Sequence, residues 1–132
     1  MRFVDTSFWV AYRFRRDEHH PAAVAMWSDK SLALVTTNLV VGETWTFLRR
    51  RIGHSEAVGF LDVVQSSPRV SIVSVSARVE AAAWSWLRRH DERGYSFVDA
   101  TSFEVMREDR IREALAFDGD FSAAGFIEVR PT

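Results

Sequence analysis

At 132 residues and a formal net charge of −1, the chain has the length of one domain and lacks the strong positive field of many nucleic-acid binders. The absence of cysteine excludes a disulfide scaffold, thiolate chemistry and any Cys-based zinc site. A hydrophobic content of 47% with 13% aromatics excludes a disordered chain and gives one domain over 1–132 enough apolar mass for a real core.

In chain order, Arg2–Asp5 reads as a short buried strand and Phe8–Phe14 as a helix. His19–Asp29 is a second helix, entered near Pro21, and Leu32–Thr36 a strand. Asn38–Arg51 is a helix with Asn38 as its N-cap and Gly53 just past its end. Glu56–Gln65 is another helix. Val70–Val75 follows Pro68, is rich in β-branched residues and reads as a strand. Ala77–His90 is a helix closed at Gly94, Phe97–Glu108 a further helix, Glu113–Phe117 a strand and Ile127–Val129 an edge strand. Such alternation predicts an α/β fold with a mainly parallel sheet, whose functional groups gather beyond the carboxyl ends of the strands. No stretch approaches the ~20 apolar residues of a membrane span, and Met1–Val10 has no signal-peptide pattern. A cytoplasmic location with no membrane contact is expected.

The acids at strand ends therefore matter. Asp5 follows Phe3-Val4, and Asp118 follows Ala114-Leu115-Ala116-Phe117. Two strands each ending in Asp suit a metal site in an open α/β sheet, although each Asp is equally suited to N-cap the next helix. Glu43 lies on one helical stripe with Leu39 and Phe47, a setting that predicts at least partial burial. Its plainer role is a helix-edge acid paired with Arg50 or with a neighbouring helix. Asp99 closes the capping-box pattern Ser96-Phe97-Val98-Asp99 and can serve a helix start and a site together. Asp120 is an auxiliary ligand or a loop acid.

Mg²⁺ and Mn²⁺ take oxygen ligands, and three or four carboxylates suffice to hold them. Such ions reverse the charge that would otherwise repel a phosphodiester, and they activate water. That chemistry needs no histidine, cysteine or lysine. The His19-His20 pair reads as a surface turn, and no Gly-rich phosphate loop or serine-hydrolase elbow is present. Arginine dominates the basic residues, in clusters at Arg13, Arg15 and Arg16, at Arg49–Arg51, and at Arg88 and Arg89. They suit RNA or, more plainly, solvated helix ends.

As a set, these motifs resemble a PIN domain of the VapC toxin kind. Val4-Asp5-Thr6-Ser7 resembles the family's first motif, and Thr37-Asn38-Leu39-Val40-Val41-Gly42-Glu43 the second. Tyr95-Ser96-Phe97-Val98-Asp99-Ala100-Thr101-Ser102 resembles the third, and Ala116-Phe117-Asp118-Gly119-Asp120-Phe121 with Gly125-Phe126 the last. The match spans the chain in order. It implies an α/β/α sandwich with a four- or five-stranded parallel sheet. It also implies metal ligation by Asp5, Glu43, Asp99 and Asp118, with Asp120 as a fifth acid, and Thr6 or Ser7 holding a ligand or a water at the metal. The implied activity is Mg²⁺- or Mn²⁺-dependent endonucleolytic cleavage of RNA, often tRNA or ribosomal RNA. A cognate VapB-type antitoxin and a homodimer complete the implied assembly. One position departs: Ala116 stands where the family often has Thr.

Two other Asp-and-Mg²⁺ classes fit poorly. A haloacid-dehalogenase-like phosphatase needs a second Asp where Ser7 stands, and a receiver domain needs a late lysine, whereas the sole lysine is Lys30. The alternative reading is a catalytically silent PIN-fold module that docks a protein through exposed aromatics. For it, Trp84 and Trp86 cannot share a helix face, nor can Phe8 and Trp9.

Overall fold

The structure, a computed structural model, describes residues 1–132. Its elements run β1 (Arg2–Val4), α1 (Thr6–Arg13), α2 (His20–Ser28), β2 (Leu34–Thr37), α3 (Asn38–Arg51) and α4 (His54–Ser66). They continue through β3 (Val70–Val73), α5 (Ala77–Arg89), α6 (Phe97–Glu108), β4 (Glu113–Leu115), α7 (Asp120–Ala123) and β5 (Ile127–Glu128). The five strands form one sheet in the order β3-β2-β1-β4-β5, with every neighbouring pair parallel. The expected α/β/α sandwich is present, with five strands.

Right-handed crossovers dictate the layering. The chain steps outward from β1 to β2 to β3, which sets α1 to α4 on one face, then returns to β4 on the other side of β1 and sets α5 to α7 on the opposite face. The packing agrees: α1 lies against α2, α3 and α4, while α6 lies against α5 and α7. The covered sheet explains why β1 and β2 read as continuous apolar runs. Phe3, Val4, Leu34 and Val35 are all buried.

The order reverses between β1 and β4, where Phe3 pairs with Ala114 and Val4 with Leu115. Loops leaving these two strands diverge to opposite faces and open a crevice at their carboxyl ends. The backbone N–H of Asp5 still reaches Leu115 O across this point at 3.1 Å, so both strands deliver their next residues to one place.

Three expectations need correction. The N-cap of α3 is Thr37, whose hydroxyl accepts the Val40 N–H at 3.1 Å. Asn38 is the first helical residue, and its side-chain oxygen accepts the Val75 N–H at 2.9 Å. Phe8 and Trp9 are both fully buried, because α1 is enclosed on two sides. Trp9 packs edge-on against Trp27 and Phe60, while Phe8 stacks on Tyr12 and Phe117. The split holds only for α5, where Trp86 is 8% exposed and Trp84 is 52% exposed. The short helix α7 was not foreseen.

Candidate active site

Asp5, Glu43, Asp99 and Asp118 line one cavity of about 360 Å³ at the crevice above β1 and β4, together with Thr6 and Ser7. Four distant stretches of sequence thus converge on the place the strand order makes available.

Asp5 is 2% exposed. It caps α1, with Oδ2 accepting the Ser7 N–H at 3.1 Å and the Ser7 hydroxyl at 2.7 Å. Cap and site coincide. Burial, reinforced by the charges of Asp118 and Asp99, pushes its carboxyl up to about 8 against the pull of the two Ser7 hydrogen bonds. The Ser7 hydroxyl also accepts the Phe117 N–H at 2.9 Å. That bond supplies a hydroxyl beside the strand end where Ala116 has none. Thr6 Oγ1, in contrast, is buried without a hydrogen-bond partner.

Asp99 is buried at the first turn of α6 in a complete capping box: its N–H donates to Ser96 Oγ at 2.9 Å, and its Oδ2 accepts the Ser96 N–H at 3.0 Å. Desolvation lifts it to about 6, with Asp120 and Asp118 adding to the rise. Asp118 stands at the rim, with its residue surface open. The side of its carboxyl facing the site is desolvated, which raises it above the usual carboxylate range, and the neighbouring Asp120 adds to this. It caps no helix: its Oδ1 accepts the Asp120 N–H at 3.1 Å, and left-handed Gly119 (φ 83°) turns the chain into α7.

Oxygens of Asp99, Asp118 and Asp120 lie within 4.8 Å of one another. Asp120 arrives already paired, with Arg93 Nε 2.9 Å from its Oδ1, and it does not line the cavity shared by the other four acids. Glu43 does line it, but it is exposed and has no ion-pair partner, so neither the expected burial nor the pairing with Arg50 is found. The stripe of α3 that carries Glu43 borders the crevice while Val40, Thr44 and Leu48 face the core, so Leu39 and Phe47 are themselves only half-buried.

Several participants were missed from sequence. Asp17, Glu18 and His19 line the same cavity. His19 is no mere surface turn: its ring lies flat on Phe117, with centroids 4.5 Å apart. Glu128 of β5 accepts the Gly119 and Ser122 N–H groups at 3.3 and 3.0 Å, bracing the loop that carries Asp118 and Asp120. The only sequence signal was the acid run beside the histidines; a brace from β5 leaves no local trace.

Six carboxylates and one histidine line the cavity, with no lysine or arginine among them. Buried Asp5 and Asp99 have no cationic partner. Uncompensated buried carboxylates are costly unless a cation joins them, and an all-oxygen donor set fits a hard divalent ion. The residues therefore fit a divalent metal.

Residues 2–127 match the PIN domain model. The chain belongs to the PIN-domain family. Over 131 residues, 99% of this chain and 99% of the relative, it is 55% identical to the 23S rRNA-specific endonuclease VapC20 of Mycobacterium tuberculosis, strain CDC 1551 / Oshkosh. The crystal structure of M. tuberculosis VapC20, described as a sarcin–ricin-loop-cleaving toxin, superposes with a TM-score of 0.94 at 54% identity. The superposition covers 99% of this chain and 100% of that one. FitAcB from Neisseria gonorrhoeae gives 0.66 at 15% identity, covering 99% and 98%. FitAB bound to a DNA fragment gives 0.67 at 17%, covering 99% and 95%. These two share the fold alone. Among PIN domains this chain is a VapC-type toxin endonuclease.

Proposed function

We propose that this PIN domain is a cytoplasmic toxin that hydrolyses a phosphodiester bond in the sarcin–ricin loop of 23S ribosomal RNA, using Mg²⁺ or Mn²⁺. The observation that carries the reaction is buried Asp5, its carboxyl raised to about 8 beside Asp99 and Asp118 with no cation to compensate it. Identity of 55% along the full chain with an endonuclease specific for that rRNA supports the substrate.

Asp5, Asp99 and Asp118 would hold the metal, with Glu43 closing the open side and Asp120 contributing from the rim. When bound, the ion supplies positive charge toward the phosphate and lowers the pKa of water. The protein's own residues set the geometry. Ser7 fixes the Asp5 carboxylate and ties it to the strand end at Phe117. Ser96 fixes Asp99 from both sides of the capping box. Arg93 pairs with Asp120 and donates to the backbone oxygen of Asp118, while the carboxylates of Asp5, Asp99 and Asp118 make no ion pair. The unpartnered Thr6 hydroxyl is available to hold a water or substrate oxygen. A VapB-type antitoxin as the inhibitor and a homodimer as the working form belong to the same reading.

Purified toxin, free of antitoxin, is incubated with ribosomes in Mg²⁺, Mn²⁺ or EDTA, beside Asp5→Asn and Asp99→Asn. One metal-dependent cut in 23S rRNA, lost in both variants, is expected. Cleavage that survives both substitutions overturns the site, and cuts confined to tRNA overturn the substrate.

A further inference from the structure

Arg15 and Arg16 are not explained by their helix. α1 ends at Arg13 and is capped by Phe14, so only Arg13 sits where a cation complements the helix dipole. Arg13 is also spoken for, with its Nε 2.7 Å from Glu56 Oε1. Arg15 and Arg16 lie beyond the helix, exposed and without ion-pair partners. They border a cleft of about 630 Å³ whose other walls include Phe14, His20, Val24 and Ile52, the last two 38% and 39% exposed. With Arg13 and Glu56 neutralising each other, the cleft keeps two free guanidinium groups beside an apolar and aromatic floor. Guanidinium groups pair with phosphate, and such floors take a nucleobase. The volume falls within the range of small-ligand sites.

The cleft's position is the second observation. The chain from Phe14 to His19 is folded into consecutive turns, with Asp17 N–H donating to Phe14 O and His20 N–H to Asp17 O, both at 3.0 Å. Phe14, Arg15 and Arg16 face this cleft, while Asp17, Glu18 and His19 face the acid cavity. One short ordered segment therefore separates a carboxylate-lined cavity from an arginine-lined one. The acid cavity offers a polyanion no protein cation of its own, so flanking arginines add to the grip that a bound metal would supply.

Resting on the ribonuclease reading above, we propose that the Arg15–Arg16 cleft is a subsite for one nucleotide flanking the cleaved bond, with the arginines on its phosphate and the floor formed by Phe14, Val24 and Ile52 against its base. Arg15 and Arg16 are specificity and binding residues; they take no part in the chemical step.

The test is steady-state cleavage, in saturating Mg²⁺, of an RNA hairpin carrying the sarcin–ricin-loop sequence, across a series of salt concentrations. Wild type is compared with Arg15→Gln/Arg16→Gln and with Arg88→Gln/Arg89→Gln, an exposed pair at the end of α5 on the opposite face. The first variant should raise KM about tenfold, keep kcat, and make the fall of log(kcat/KM) with log salt shallower by about 0.7, the loss of one single-strand phosphate contact. The control pair should match wild type. Equal kinetics for both variants would overturn the subsite while leaving the nuclease intact, as would a loss confined to antitoxin binding, which would make the cleft a protein site. A wild-type protein that cuts no ribosomal RNA would sink the nuclease reading, and the subsite with it.

Discussion

The hydroxyl of Ser7 lies 2.7 Å from Oδ2 of Asp5, its proton donated to the most deeply buried acid of the site. The same oxygen accepts the Phe117 N–H at 2.9 Å, so one side chain holds the acid that follows β1 against the segment that follows β4. The two Ser7 hydrogen bonds also lower the Asp5 carboxyl against the stronger upward push of burial.

Ser7→Ala therefore loosens the Asp5 rotamer and disfavours its ionised form. Loss of such a supporting contact typically lowers metal affinity or activity about 10- to 100-fold. The expected result is a higher Mn²⁺ dissociation constant by titration calorimetry, with activity partly restored by excess metal. A variant with wild-type affinity would show that Asp5 is positioned by other contacts.

The raised carboxyls make the metal-free protein sensitive to pH in a defined direction. Asp5 moves from 3.8 to about 8 on folding, and Asp99 from 3.8 to about 6. The folded state thus binds more protons than the unfolded state between these values, and stability falls as pH rises. The contribution of Asp5 is fully present below about pH 4 and is lost progressively toward pH 8. In EDTA, melting temperature should drop from pH 5 to pH 8, with the part due to Asp99 gone by about pH 6. Asp5→Asn should flatten this dependence and melt about 3 °C or more above wild type at pH 8, while losing cleavage on the proposed reading. Saturating Mn²⁺ should remove most of the wild-type decline. A metal-free melting temperature that rises with pH would contradict the burial of these acids.

Much of the candidate site was legible because its acids sit where local capping rules and the strand-end crevice coincide. Asp5 caps α1 and Asp99 completes the capping box of α6, and both line the cavity, so the local reading and the functional reading pointed to the same positions. Strand alternation also exposed the parallel sheet, whose reversal between β1 and β4 brings the acids together. What stayed hidden depended on tertiary enclosure. The burial of both Phe8 and Trp9 follows from α1 being covered on two sides, which helical periodicity alone cannot convey. The exposure of Glu43 has the same origin, since its stripe of α3 borders the crevice while Val40, Thr44 and Leu48 of the same helix face the core. His19 was legible only as a polar turn until Phe117 supplied its stacking partner.

Glu43 is exposed and makes no hydrogen bond or ion pair, so its removal should not disturb the fold. Glu43→Gln should keep its melting temperature within about 2 °C of wild type, as for surface substitutions generally. Metal affinity and cleavage rate should both fall, because one negative oxygen is lost from the open side of the cavity. Unchanged affinity and rate would remove Glu43 from the ligand set.

Glu128 offers the converse case, a carboxylate that supports the site without lining it. Its side chain is 4% exposed, with Oε1 accepting the Gly119 N–H and Oε2 the Ser122 N–H. Gly119 is the turn between Asp118 and Asp120 and Ser122 lies in the α7 helix that Asp120 opens, and Arg130 closes the arrangement at 3.4 Å from Oε1. Glu128→Ala leaves two backbone donors without their acceptor, which should destabilise the protein by about 1–3 kcal/mol. It should also weaken metal binding by letting the Asp118–Asp120 turn relax. Glu128→Gln retains a single acceptor oxygen, so it should recover part of the stability and part of the affinity. If Glu128→Ala lowers the melting temperature while metal affinity stays at the wild-type value, the brace stabilises only the edge of the sheet, and Asp118 is held by Gly119 and its own turn alone.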